Sequence, residues 1–451
     1  MVNWPILTPT ESRPTLERPI GLVHATAMVV GIIVGASIFV QPAEINRHVP
    51  SIPGVLSVWI AAGLLTLCGS LVCAELSSTF PRTGGVYVFL KETLSPACGF
   101  LWGWAMFWSA HSGIIAATAV IFARYIAFFI PLDDFRIRAA AIGGILALSS
   151  INYLGVRQGS LLQTIVTTAK VAAIVVLLAM AAEFGSPGPK GTPPAAPVAT
   201  APPISFGEFV LAISAALFAF GGWHMVTYTA GETRNPEKTI PRALLIGSLV
   251  VTTCYVALNA AYLYLLPLDR AISSTRVAAD AAYALAGPRG AAAISALVIL
   301  SATGVLNGVI LAGPRTYFAM ADEGLAFSWL AGIHPRFHTP HRAILIQALW
   351  SSVLVATGTY RALFTRVIYT EWLFFALMTI GLVRLHGRAG YSPPYRAWGY
   401  PWIPLAFIGA AILVAVIQIA ADPLQAATGL ALVVLGLPVY YLWVRRHHAH
   451  H

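Results

Sequence analysis

Gly31-Ile32-Ile33-Val34-Gly35-Ala36-Ser37-Ile38-Phe39 places three small residues in a row inside the first long apolar segment of the chain. A membrane helix that runs uninterrupted has no need of such a cluster at mid-depth. Backbone leaves its helix inside a bilayer only where protein or a wet cavity can satisfy the freed amide groups. A second run of this kind, Phe218-Ala219-Phe220-Gly221-Gly222-Trp223-His224, follows half a chain later. Two Gly-interrupted apolar segments in matching places are the best sequence pointer to a solute-binding site between helices.

The composition supports a membrane setting. Of 451 residues, 58% are hydrophobic and 10% charged, with a mean hydropathy of +0.76. Soluble domains carry roughly a quarter charged residues, so this chain reads as an integral membrane protein. The first apolar run begins near Ile20 behind a polar, proline-bearing leader, and no small-residue cleavage site follows it. It reads as a retained span and not as a signal peptide. Windows of about 17–25 apolar residues give about 12 spans. They fall near 20–46, 54–79, 97–129, 137–154, 161–182, 207–231, 241–266, 289–320, 343–359, 365–385, 402–421 and 424–444.

The net charge of +10 does not imply nucleic-acid binding. Arg18, Arg82, Lys91, Arg157, Arg234, Lys238, Arg242, Arg384, Arg388, Arg445 and Arg446 gather on one side of that topology. An excess of Lys and Arg marks the cytoplasmic side, so both termini are expected in the cytoplasm of a multi-pass inner-membrane protein. Cys68, Cys73, Cys98 and Cys254 lie in or beside apolar spans without CxxC spacing and read as small buried thiols. The run His447-His448-Ala449-His450-His451 reads as a solvated tail. No metal, cofactor or catalytic constellation is expected, and no HExxH, GxSxG or P-loop pattern of an enzyme is present.

The stretch from Gly185 to Pro203 is rich in Pro, Gly, Ala and Thr and reads as an extended extracellular linker. The organisation expected is a leader at 1–19, a first five-helix repeat at 20–182, the linker at 183–206 and a second five-helix repeat at 207–386. Helices 11 and 12 follow at 387–445, with the His-rich tail at 446–451. An odd number of spans per repeat forces the two repeats into opposite orientations. The two breaks then cross near the midplane, in the first helix of each repeat. The long connection near 320–342 has the makings of a short amphipathic helix.

An unwound stretch frees N–H groups at the start of the following half-helix and carbonyls at the end of the preceding one. The positive dipole end favours a carboxylate and the negative end an ammonium. A zwitterionic amino acid carries both charges on one carbon. The amides of Ala36, Ser37 and Ile38, beside Gly35, are expected to meet its carboxylate. Carbonyls near Ile33 and near Phe218, Ala219 and Phe220 are expected to meet its ammonium. Close packing of small residues between helices is the competing reading.

Gly35-Ala36-Ser37-Ile38-Phe39 resembles the GSGIF motif of the amino acid–polyamine–organocation transporter superfamily. Phe218 to Trp223 resembles the second motif of its L-type amino acid transporter branch. Further likeness runs through Ala74-Glu75-Leu76, Pro81-Arg82-Thr83-Gly84-Gly85, Asn152 to Arg157, Glu232 to Pro236, Ile240 to Ala243 and Arg396 to Pro404. The resemblance covers about 20–445. It implies an all-α LeuT-like fold, a 5+5 inverted repeat with helices 1 and 6 broken, and amino acid transport by alternating access. Two positions depart from the family: Ser37 stands where relatives usually have Gly, and His224 where they often have Asn or Asp.

Lys170 lies midway along the fifth span, where a charge costs at least about 2.5–3.5 kcal/mol. The resemblance implies that it replaces the sodium ion of coupled relatives and ties the fifth helix to the first break. Glu371 sits in the first third of span ten, where the resemblance places a substrate-facing residue that is often neutral. It can carry a proton, pair with a cationic side chain, or be an interfacial carboxylate. Trp223 is expected to cap the substrate, and Gly221 and Gly222 to leave it space. Glu75, Arg82, His224, Ser301 and Asn307 are candidates for gating or coupling, and Ser109, His111 and Ser112 are weaker candidates for the side-chain pocket.

The reading reached is sodium-independent exchange or facilitated diffusion of neutral L-amino acids. The runner-up is proton-coupled uptake, including cationic amino acids or amines, through Glu371 or His224. A sensor that binds amino acids without moving them is the alternative of another class. The partners expected are the amino acid and the lipid bilayer. The loop Pro131 to Arg136 lacks the cysteine that attaches a heavy chain in animal relatives, so no disulfide-linked partner is expected and a monomer suffices.

Overall fold

The computed structural model describes residues 16–185, 204–274, 277–358 and 360–448. The body of the expected linker, most of the leader and the end of the His-rich tail lie outside the described residues. Every named element is helical. Among the described residues one isolated β-bridge joins Ile20 to Thr233.

Helices α1 (Leu22–Ile33) and α2 (Ser37–His48) meet at a bend of 46°. They are followed by α3 (Ile52–Thr79), α4 (Pro96–Ile126), α5 (Asp134–Leu154) and α6 (Val156–Phe184). Next come α7 (Phe206–Ala219), a 3₁₀ segment (Trp223–Glu232) and α8 (Pro236–Leu265). The other long helices are α9 (Pro288–Asp322), α10 (His341–Thr357), α11 (Tyr360–His386), α12 (Trp402–Ala421), α13 (Pro423–Val434) and α14 (Gly436–His448), with shorter helical segments at Val86–Thr93, Leu268–Ser273 and Val277–Ala286. Among the described residues, length and composition support 9 membrane-crossing helices, or 10 spans with the bent α1–α2 pair counted. This is short of the twelve expected. Helices do stand at the expected ninth and tenth spans, but α10, with 17 residues, and α11 fall outside that count. The connection after α9 forms one 3₁₀ turn, Ser328–Ala331, and not the amphipathic helix expected there.

Helix starts follow local chemistry. Ser51, Ser95, Asp133 and Ser205 each accept a hydrogen bond from the amide three residues on, capping α3, α4, α5 and α7. α2 starts after Ala36 with no side-chain cap, as do α1, α6, α8, α9, α10 and α12. Its first amides have no partner within the helix. The second break forms where α7 ends at Ala219 and Gly222 turns left-handed at φ +93°, a conformation that side-chain-bearing residues resist.

Packing then brings the breaks together. α1 lies against α6, α8 and α9, and α2 lies against α7. Buried polar side chains fix this arrangement. Asn307 on α9 accepts from Asn152 on α5 at 2.9 Å, and donates to the Gly159 carbonyl and to Gln163 on α6, each at 2.9 Å. Glu75 on α3 receives the Ala397 amide at 2.7 Å and lies 2.6 Å from His386, so it anchors the loop after α11. Arg82 bridges Glu92 at 2.8 Å on an exposed surface.

At the far end of the 3₁₀ segment, Glu232 and Arg315 of α9 form a two-pronged ion pair. The distances are 2.8 and 2.9 Å, and both side chains are fully buried. Arg315 also donates to the Leu311 carbonyl. Ile20 closes over this pair, donating to the Glu232 carbonyl at 3.1 Å and accepting from the Arg234 amide at 2.9 Å. Breaking a buried pair by removing one partner costs about 3–5 kcal/mol. Arg315→Met should therefore lower the melting temperature of the detergent-purified protein sharply, and Glu232→Gln combined with it should recover part of the loss. A melting temperature unchanged in Arg315→Met would contradict the ion pair's structural weight.

Candidate functional site

Between the two breaks lies a cavity of about 130 Å³. That is well under the ~300–1,000 Å³ of drug-sized sites, on the scale of one small solute. Ile33, Gly35, Ala36 and Ser37 line it from the first break, and Phe218, Ala219, Gly221, Gly222 and Trp223 from the second. Glu371, Trp372 and Phe375 of α11 complete one side. Ile38 and Phe220 do not line it. Ile38 is fully buried, and Phe220 packs on Trp59 and Tyr255 with ring centroids 6.2 and 4.9 Å apart.

The freed carbonyls of the first break are occupied by side chains. Lys170 Nζ of α6 donates to the carbonyls of Gly31 and Val34, both at 2.7 Å. Held as an ammonium, it makes two charge-assisted bonds worth about 1.5–3 kcal/mol each, enough to offset its insertion cost of about 2.5–3.5 kcal/mol. Gly304 on α9 makes room for it: a Cβ there would sit 2.7 Å from Nζ. Thr167, one turn earlier on α6, donates to the Ala27 carbonyl at 3.0 Å. These contacts seat α6 along the end of α1.

Tyr255 of α8 is the residue that sequence reasoning missed. Its hydroxyl lies 2.8 Å from the Ile33 carbonyl and 3.1 Å from the Ala219 carbonyl. One proton is shared between the last carbonyls of both broken half-helices. With the α1 carbonyls engaged and the α2 amides uncapped, the exposed polarity of the first break is the donor side, which suits an anionic group. A second missed feature is a π-helical turn, Met106–Ala110, inside α4. It sits at the level of the cavity, which Ala110, Ile114, Thr118 and Ile121 of α4 line. The weaker candidates Ser109, His111 and Ser112 do not line it.

The remaining candidates are dispersed. His224 is buried beside the cavity wall, its ring 4.9 Å from Phe375 and 5.6 Å from Trp102. Neither of its nitrogens has a hydrogen-bond partner among the described residues. Trp223 is 2% exposed and packs on Phe375 at 5.1 Å. Ser301 is buried on α9 and has no hydrogen-bond partner among the described residues. Asn307, Glu75 and Arg82 sit in the networks that join the helices, away from the cavity. Glu371 is the one carboxylate among the residues lining it.

A central cavity between two interrupted apolar helices is the arrangement found in many solute transporters. The chain belongs to the amino acid permease family, whose model matches residues 20–440. It is similar to the serine/threonine exchanger SteT of Bacillus subtilis, at 31% identity over 432 residues covering 94% of this chain and 97% of that one. It also resembles the large neutral amino acids transporter small subunit 2 of Mus musculus, at 31% identity over 447 residues, 96% of this chain and 82% of the relative. The human cystine/glutamate transporter is 27% identical over 443 residues, 97% of this chain and 87% of the relative. The chain is thus an amino acid transporter of the L-type branch and not an enzyme.

Removing the Tyr255 hydroxyl leaves two buried carbonyls short of a donor, a cost of about 1–3 kcal/mol. In reconstituted vesicles, Tyr255→Phe should raise the KM for transported amino acid about tenfold while its melting temperature stays within a few degrees of the parent. An unchanged KM would show that the hydroxyl does not shape the break.

Proposed function

We propose that this protein moves neutral L-amino acids across the inner membrane by alternating access, as a sodium-independent exchanger or facilitator. Both termini lie in the cytoplasm, and two oppositely oriented five-helix repeats carry the broken helices. The amino acid carboxylate meets the uncapped amides of Ala36, Ser37 and Ile38. Its ammonium meets the carbonyls around Ile33 and Ala219. The side chain points to the apolar wall of Ile114, Ile121, Val305 and Val309, with Trp223 as the cap. No disulfide-linked heavy chain is required.

The observation that carries the sodium-independent reading is Lys170 Nζ at 2.7 Å from the Gly31 and Val34 carbonyls. A cation is already fixed on the acceptors of the first break, so none need be recruited from solution. The similar serine/threonine exchanger and large neutral amino acids transporter favour neutral substrates. A second reading rests on Glu371, whose place in the cavity wall suits a carboxylate that takes up a proton with the substrate or pairs with a cationic one.

Counterflow of labelled amino acids in proteoliposomes tests these readings together. Uptake should require internal amino acid or run down its own gradient, and should not change when sodium replaces choline. Strict sodium dependence would overturn the role given to Lys170, and binding without counterflow would mark a sensor. Glu371→Gln separates the two readings. Unaltered pH dependence and neutral-substrate flux favour the first; abolished proton-driven uptake, or lost cationic-substrate uptake, favours the second.

A further inference from the structure

We propose that the cleft between the leader, α1 and α6 binds the phosphate of an anionic membrane lipid. The cleft, of about 670 Å³, is lined by residues at the starts of α1 and α6 and shares no lining residue with the central cavity. Arg18, Arg157 and Arg234 line it together with His24 and one carboxylate, Glu17. No ion pair engages any of the three arginines among the described residues. Glu17 approaches His338 instead, at 4.0 Å. The Arg234 Nε donates to the Arg18 carbonyl at 3.1 Å, which fixes one guanidinium at the edge of the cleft. Three guanidiniums against one carboxylate, with planar donors suited to phosphate oxygens, make this an anion site.

The surface beside it distinguishes a lipid from a free anion. Arg157, Leu161 and Ile165 are spaced four apart on α6 and so share one helical face. Leu161 is 50% and Ile165 58% exposed, and Val23 on α1 is 70% exposed. The face therefore carries a charge at the boundary and an apolar strip running from it into the bilayer, the shape of a phospholipid. Free phosphate would use only the first half. The position also matters for transport: Arg234 follows the end of the second broken segment, and Ile20 is hydrogen-bonded across to it. A headgroup held between Arg157 and Arg234 would tie the start of α6 to the chain just after the second broken segment, so lipid charge should alter flux.

The test uses the full chain in vesicles of phosphatidylcholine, with and without phosphatidylglycerol, and native mass spectrometry of the lipid it retains. Each arginine near a membrane surface contributes about 1 kcal/mol to anionic lipid binding. Phosphatidylglycerol retention should therefore fall about fivefold in Arg157→Gln and further in Arg18→Gln/Arg157→Gln. Arg157→Lys should retain most of it, and so should Arg136→Gln, which alters an exposed arginine at the start of α5. Phosphatidylcholine retention should be equal in all. The difference in counterflow between the two vesicle types should shrink in parallel. Parental phosphatidylglycerol retention in Arg157→Gln and the double variant would overturn the proposal. Displacement of phosphatidylglycerol by inorganic phosphate would do so too, by showing that the cleft reads the free anion.

Discussion

Polar backbone set free inside a membrane must find a partner, and the rest of this structure is arranged around that constraint. Two helices stop at the middle of the fold, and each stop exposes carbonyls on one side and amides on the other. The carbonyl side is answered from within the protein. Lys170 takes Gly31 and Val34, and Tyr255 takes Ile33 and Ala219. On the amide side of the first break no side chain caps α2. Under the proposed reading, stabilising one polarity internally leaves the other available to a solute.

That division also explains the placement of the heavier polar residues. Lys170 can reach the end of α1 only because α6 is held at a set height, and the amide network of Asn307, Asn152 and Gln163 supplies that hold. The pair of Glu232 and Arg315 does the corresponding work at the end of the second broken segment. Neither group touches the cavity. A buried ion pair is costly unless its geometry is good, and the two-pronged Glu232–Arg315 contact fixes helix position more sharply than apolar packing alone would.

How much of this was legible in the sequence follows from the range of each interaction. The breaks were legible because small residues clustered within an apolar run are a local signal, and both runs interrupt helices where they stand. Lys170 was legible because a charge at membrane depth is conspicuous in any apolar segment. Tyr255 was not: a tyrosine on an apolar helix carries no local mark, and its task arises only where α8 crosses both breaks. Arg315 follows Pro314 near the end of a long apolar span, where charges commonly face water, so its burial against Glu232 was hidden. Asn307, a candidate for gating or coupling, joins α9 to α5 and α6, contacts that no local sequence signal announces. Ile38 and Phe220 belong to runs that shape the cavity, but neighbouring residues line it, because one-residue steps around a helix turn a side chain by about 100°.

The geometry of Tyr255 bears on how an amino acid would sit under the proposed reading. A carbonyl oxygen has two lone pairs, so the Ile33 carbonyl can accept from Tyr255 and still accept from a substrate ammonium. The Gly31 and Val34 carbonyls already face a cation, and a second positive charge beside Lys170 would be repelled. The ammonium is therefore steered away from Val34 and toward Ile33 and the second break. Glu371, on the cavity wall formed by α11, supplies negative charge in the same cavity. A neutral amino acid needs only one of these acceptors for its single ammonium. A cationic amino acid, or a proton, supplies the second positive charge that lets both be used at once.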